Sequence, residues 1–212
     1  VRRYLKNEIP DVIVNVVVAS NLERNLYLTT ELIDMDYRMV IALNMFDELE
    51  QSGGKIDYKH LGNMIGVPIV PTVSRSGKGV NQLFDTIIEV YEGRDESVRH
   101  VHVGLGKVIE NSITPLKDLL KKDPTCNREF SPRYLAIKIL EGDTEVKRML
   151  EGSESYTELM NIRNAEVEKI ETTLNEDIES AIANEKYGFI SGALAETYRP
   201  GDKEEAKTTR II

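Results

Sequence analysis

The chain has 212 residues, 41% of them apolar and 30% charged, with a net charge of −9 at pH 7, which is material for one large domain or two small ones around real cores. No basic block or basic–aromatic alternation occurs, which argues against a nucleic-acid surface, and the lone Cys126 with three histidines (His60, His100, His102) leaves neither a disulfide framework nor a zinc spacing. No run of 18 apolar residues exists and no signal peptide precedes Val1, so the chain reads as soluble and suited to a reducing compartment. The first strand, "DVIVNVVVAS", is a nearly continuous β-branched run, as a parallel strand covered on both faces requires. "NLERNLYLTTELIDM" comes next with Leu22, Leu26, Leu28, Leu32, Ile33 and Met35 in a broad helical stripe, to be capped by Ser20 or Asn21. "YRMVIALN" is a second buried strand. "KIDYKHLGNMIG" is helical, with Asp57 at its start and Gly66 as its stop. "VPIVPTV" is a third strand and "GVNQLFDTIIEVYEG" a third full helix, so strand and helix alternate as in a parallel sheet with right-handed crossovers.

The rhythm changes at "GRDESVRH", and nothing beyond Gly93 reads as a strand. Segments 97–122, 132–141, 143–151, 155–184 and 185–198 are helical by pattern, with Pro124, Pro132, Gly142 and Gly152 between them. In the long one, Val167, Ile170, Leu174, Ile178 and Ile182 step by three or four residues and predict one buried seam, Leu174 included. The fold class is therefore α/β, a partial parallel sheet with three strands in view, followed by an all-α part. The boundary falls at about 93–97: residues 1–95, then a helical bundle over 96–200, then 201–212.

One tetrad carries chemistry. "NMFD" places Asn44 directly after a buried strand and Asp47 in the first turn of a helix. Asn there is a natural N-cap and Asp suits the helix dipole, which is one complete reading. The other is recognition of a guanine base. One helix and one strand later the chain leaves a strand through Thr72, Val73 and Ser74 into the glycine-rich turn "RSGKG", and both loops sit at the C-terminal ends of strands, where open α/β sheets bind ligands. A carboxylate at Asp47 can accept guanine N1–H and N2–H together, the Asn44 amide can donate to N7, and the Ser74 backbone N–H can donate to O6. Adenine would leave the Asp47 carboxylate unpaired. No G-x-x-x-x-G-K-[ST] or G-x-G-x-x-G occurs, so "RSGKGV" reads as a strand-to-helix turn and no phosphate cradle is present.

The strings "PDVIVNVV", "ASNLERNLYLT", "VIALNMFDE", "GVPIVPTVSRSGKGV", "SPRYLAIKILEGD" and "EKYGFISGAL" together resemble the cytosolic GTP-binding region of the bacterial ferrous iron transport protein B family, across both parts of the chain. The resemblance implies the C-terminal half of a GTP-binding (G) domain followed by the helical domain that precedes a membrane-spanning part, with "KTTRII" as the lead-in to that part. It implies a guanine-nucleotide set of Asn44, Met45, Asp47, Val73 and Ser74, with no catalytic residue and no metal ligand among these residues. Met45 stands where most GTPases place a Lys over the base; a thioether packs on a purine without adding charge. Val18 stands where the family usually has Asp, which would cap the following loop.

The family's GTPase activity, with GTP and GDP as ligands and Mg²⁺ and K⁺ as cofactors, would depend on a phosphate-binding loop and switches upstream of Val1, so this chain alone is expected to be inactive. The resemblance further implies the inner-membrane cytoplasmic face as location, and as partners the transporter's own transmembrane domain and small accessory iron-transport proteins. Two other readings stay open: a non-enzymatic module in which the helical bundle docks on a partner, and an unrelated α/β domain with a capped strand. An exposed apolar edge on "DVIVNVVV" would point to further strands, and charged edge positions to a self-contained sheet.

Overall fold

The computed structural model describes Leu5, Glu8 and residues 10–124 and 130–201. Cys126 and all of the expected 201–212 segment beyond Gly201 lie outside the described residues. In chain order the elements are β1 (Ile13–Val18), a 3₁₀ turn (Ala19–Asn21), α1 (Leu22–Asp34), β2 (Met39–Asn44), α2 (Phe46–Gln51), β3 (Lys55–Ile56), α3 (Tyr58–Ile65), β4 (Ile69–Pro71), α4 (Val80–Tyr91), α5 (Gly106–Lys122), α6 (Pro132–Leu140), α7 (Thr144–Leu150), α8 (Tyr156–Leu174), α9 (Ile178–Thr197) and β5 (Tyr198–Arg199). The described residues form an α/β architecture with a parallel three-stranded sheet, followed by helices. The chain packs as two units: Val1–Leu32, Tyr37–Val101 and Ile190 onward make the first, Ile33–Asp36 and His102–Phe189 the second. None of the described helices is long and apolar enough to cross a membrane.

In the first unit the sheet runs β1-β2-β4, all parallel, with β2 in the centre. Centrality explains its composition: Met39 to Leu43 are all buried, and only Asn44 at the C-terminal end reaches partial exposure. On one face Asn15 of β1 donates to Thr29 Oγ1 of α1 at 2.9 Å, so a polar residue inside a strand is satisfied by the covering helix. On the other face α4 packs over Val40 and Val70 through Val90, Leu83 and Ile87. Val14 and Val16, in register with Val40 and Ala42, share that face but stay 38% and 59% exposed. Among the described residues β1 pairs only with β2, and Phe84, Ile88 and Tyr91 of α4 are also exposed, at helical spacing.

Local signals work as expected at several ends. Asp57 caps α3 by accepting from the His60 N–H at 2.9 Å, and Gly66 closes the helix at φ +71°, where a side chain would run into the Arg99 carbonyl. Val18 contributes no side-chain cap to the turn after β1.

Four expectations are corrected. A strand does follow Gly93: β5 pairs antiparallel with β3, Lys55 opposite Arg199 and Ile56 opposite Tyr198, in a second, two-stranded sheet. The helix expected from residue 97 starts at Gly106 (φ +67°), because buried Val103 and Leu105 are spent on an irregular approach whose Leu105 N–H is held by the Glu110 carboxylate at 3.0 Å. The long helix over 155–184 is two helices: Asn175 turns left-handed (φ 54°), and Asp177 restarts the chain by accepting from the Ser180 N–H at 2.9 Å. Leu174, the last residue before that break, is 36% exposed, whereas Ile170, Ile178 and Ile182 are buried as expected.

The second unit is built around Ile109, Ile113, Leu116 and Leu120 of α5, the almost wholly buried α6, and Leu159 and Ile170 of α8. Ion pairs brace it, one of them wholly buried. Lys186 Nζ stands 3.0 Å from Asp34 Oδ2, with both side chains out of solvent. Arg133 grips Glu110 through two nitrogens at 2.6 and 2.7 Å and also donates to the Val103 carbonyl. Burial pushes the Glu110 carboxyl up, but the Arg133 hydrogen bonds, the Leu105 N–H and the guanidinium charge outweigh it and hold it below the ordinary carboxylate value.

Candidate functional site

The site is made by two loops that leave neighbouring strands on the same side of the sheet. Backbone hydrogen bonds stitch them: Thr72 N–H donates to the Leu43 carbonyl at 2.8 Å, and Phe46 N–H to the Thr72 carbonyl at 3.3 Å. The second loop is itself a tight turn, as its sequence predicts. Val73 N–H donates to the Lys78 carbonyl and Ser76 N–H to the Val73 carbonyl. Gly79, at φ +81°, lies so close to the Pro71 carbonyl that a Cβ would stand 2.1 Å from its oxygen. That glycine sets how tightly the turn folds against the end of β4.

Asn44 is the keystone. Its Oδ1 accepts from Ser74 Oγ at 2.8 Å, from Ser74 N–H at 3.1 Å and from Thr72 Oγ1 at 3.5 Å. A backbone N–H can only donate, so the atom facing it is the amide oxygen and the orientation of the carboxamide is settled. The amide nitrogen is thereby turned the other way, with two N–H donors that meet no partner among the described residues. Asn44 does not cap the helix after it. Met45 occupies the capping position and no side chain makes the bond.

Met45 is left-handed at φ 57° and ψ 34°, a conformation that costs a non-glycine residue about 1–2 kcal/mol and that re-aims the chain directly after the strand. Its side chain is 37% exposed. Leu49, buried at 1%, anchors the short helix α2, and Phe46 meets Tyr58 of α3 edge-on at 6.1 Å between ring centroids. Asp47 thus sits in the first turn of a fixed helix, 26% exposed at its side chain, with Arg75 Nη2 3.6 Å from its Oδ2.

Four of the five expected residues therefore gather around one open patch: an amide donor pair at Asn44, a thioether at Met45, a carboxylate at Asp47 and the hydroxyl of Ser74. Val73 contributes differently. It is buried, and both its backbone groups are used within the turn. Ser74 N–H, expected to meet a ligand oxygen, is given to Asn44 in this structure. Thr72 and Arg75 complete the patch and do not stand out in the sequence. Thr72 carries no charge to mark it, and Arg75 becomes relevant only because the turn brings it back to Asp47.

A planar ring with an acceptor on one edge and two adjacent donors on another matches this set. The amide donates, the carboxylate accepts twice, and the thioether covers apolar surface. Among the described residues no group of three or more His, Cys, Asp or Glu side chains stands close enough to hold a metal ion.

Comparison with known proteins gives two family matches: residues 1–87 to the family described as "Ferrous iron transport protein B", and residues 106–199 to the one described as "FeoB cytosolic helical domain". The "Fe(2+) transport protein A/Fe(2+) transporter FeoB fusion protein" of Porphyromonas gingivalis is 42% identical over 207 residues, 96% of this chain and 24% of that protein, so the chain spans about a quarter of its length. A GDP-bound mutant of the S. thermophilus FeoB G-domain superposes with a TM-score of 0.81 at 33% identity, covering 93% of this chain and 73% of that one. The mGMPPNP-bound NFeoB from S. thermophilus gives 0.76 at 33%, covering 92% and 70%.

Proposed function

The chain belongs to the ferrous iron transport protein B family, and we propose that it is the base-reading part of the guanine-nucleotide-binding region of a ferrous iron membrane transporter. The observation that carries this reading is the Asn44 carboxamide, fixed by the two Ser74 donors with its nitrogen outward, three residues before the Asp47 carboxylate. Guanine would take the Asn44 amide at N7 and the Asp47 carboxylate at N1–H and N2–H. Met45 would cover part of one ring face, and Val73 would act by holding the turn. Because Ser74 gives two donors to one acceptor, its hydroxyl can keep Asn44 oriented while its N–H is handed to guanine O6. Relatives solved with GDP and with mGMPPNP support a nucleotide of this class.

In this reading residues 1–95 belong to a G domain, 96–200 to the helical domain and 201–212 to a linker toward a transmembrane region on the cytoplasmic side. The phosphates, with Mg²⁺ and K⁺, would be held by a further half of the G domain. The exposed Val14 and Val16 on a β1 edge that pairs with no other described strand support that half docking there. Base contacts are alike in ground and transition states, so these residues would bind GTP without accelerating its hydrolysis. The transporter's membrane part and small accessory iron-transport proteins are the partners this implies.

Calorimetry with GDP and ADP tests the reading, because a guanine site prefers GDP even when both bind weakly. Asp47→Asn puts a donor against guanine N1–H or N2–H, which costs about 1–3 kcal/mol, and it should favour xanthosine, whose C2 oxygen accepts that donor. Equal affinity for GDP and ADP, or GDP affinity untouched by Asp47→Asn, refutes it.

A further inference from the structure

We propose that Arg75 is a built-in competitor of the base, an affinity-setting residue whose guanidinium occupies the Asp47 carboxylate whenever guanine does not. The inference rests on the guanine reading above and goes beyond it. Asp47 has Arg75 as its partner, at 3.6 Å, and no other among the described residues. Asp47 comes from the first turn of α2 and Arg75 from the turn after β4, and the turn held by Val73, Lys78 and Gly79 is what returns Arg75 to Asp47. A carboxylate that accepts N1–H and N2–H side by side turns one lone pair of each oxygen to the ligand, and the guanidinium beside Oδ2 competes with the ligand for that carboxylate. Entry of guanine then weakens the hold on the guanidinium, and departure of guanine restores it.

Arg75 is well suited to alternate. Its side chain is 88% exposed, so on release it moves into water at little cost, whereas Asp47 is only 26% exposed and gains from being paired in either state. An exposed ion pair is weak, and a weak competitor tunes affinity without closing the site. The expected consequence is a base held less tightly, and released sooner, than Asn44 and Asp47 alone would allow.

Guanosine is the informative probe because it is neutral: ionic strength then acts on the Arg75–Asp47 pair and not on phosphate charge. Binding of guanosine to the 212-residue chain is measured by ligand-observed NMR for wild type, Arg75→Ala and Arg75→Lys. Salt is set at about 0.1 M and about 1 M, between which the Debye length falls from about 10 to about 3 Å. Arg75→Ala should bind guanosine about two- to fivefold tighter at the lower salt. Wild type should tighten toward it as salt rises, and Arg75→Lys should keep a wild-type-like salt response. Equal or weaker binding by Arg75→Ala, with guanosine binding plainly detected, overturns the competitor and leaves the base reading intact. Guanosine binding by none of the three overturns both, and equal binding of adenosine overturns the base reading.

Discussion

Asn44→Asp is the substitution that separates the two faces of the keystone residue. It preserves shape and keeps an acceptor toward Ser74 Oγ and Ser74 N–H, which stand 2.8 and 3.1 Å away, so the stitching of the loops survives. What changes is the outward atom, from an N–H donor to a carboxylate oxygen. Guanine N7 then loses a hydrogen bond of about 1 kcal/mol and meets a lone pair instead, for a total of about 2–3 kcal/mol, or about 30- to 150-fold in affinity. The assay pairs this variant with 7-deazaguanosine, which carries C–H in place of N7. Wild type should bind the deaza analogue about fivefold more weakly than guanosine, while Asn44→Asp should lose little or nothing further, the coupling expected when protein group and ligand atom touch. Thermal unfolding of the variant should match wild type within about 0.5 kcal/mol. If wild type binds 7-deazaguanosine as tightly as guanosine, the outward nitrogen does not meet N7 and the orientation argument fails.

In the helical unit, Ile170→Asp should destabilise by several kcal/mol because a charge enters a wholly buried position, whereas Leu174→Asp, at a 36% exposed helix end, should stay within about 0.5 kcal/mol; equal losses in melting temperature would contradict the helix break at Asn175. Glu110 titrates below its ordinary value of 4.5 in the folded chain, so its contribution is complete above that pH and is lost as pH falls through the lower, folded value. Acid unfolding followed by far-UV circular dichroism should therefore be less steep in Glu110→Gln over that window. An identical acid slope would show that Arg133 does not depend on the charge of Glu110.

The strands of the main sheet were legible because burial on both faces forces unbroken apolar runs such as "MVIAL", and α3 was legible because Asp57 and Gly66 satisfy local needs that any chain has at a helix end. What could not be read is long-range. β3 and β5 are two residues each and exist only through each other, about 140 positions apart, so neither has a period to detect. The break at Asn175 was hidden because Ile170, Leu174, Ile178 and Ile182 keep four-residue spacing across it. For the site, residue types sufficed to bring forward Asn44 and Asp47. That Asn44 leaves α2 uncapped and accepts instead from Ser74, 30 residues on, whose N–H is thereby engaged, is long-range and could not be read.

The small sheet also dictates an order of events on the ribosome. Asp57 N–H donates to the Thr197 carbonyl, β5 supplies the partner strand of β3, and Gly201 lies against the Ser52 carbonyl so closely that a Cβ would stand 2.0 Å from its oxygen. The segment just after α2 is thus completed by residues made about 140 positions later. At synthesis rates of about 5–20 residues per second that is a wait of roughly 7–30 seconds. During it β3 carries an unpaired edge, and the helical unit has time to form before the first unit is closed. Thr197 to Gly201 thereby act as a latch on the first unit, and a nascent chain stopped short of Tyr198 would leave β3 without its partner strand.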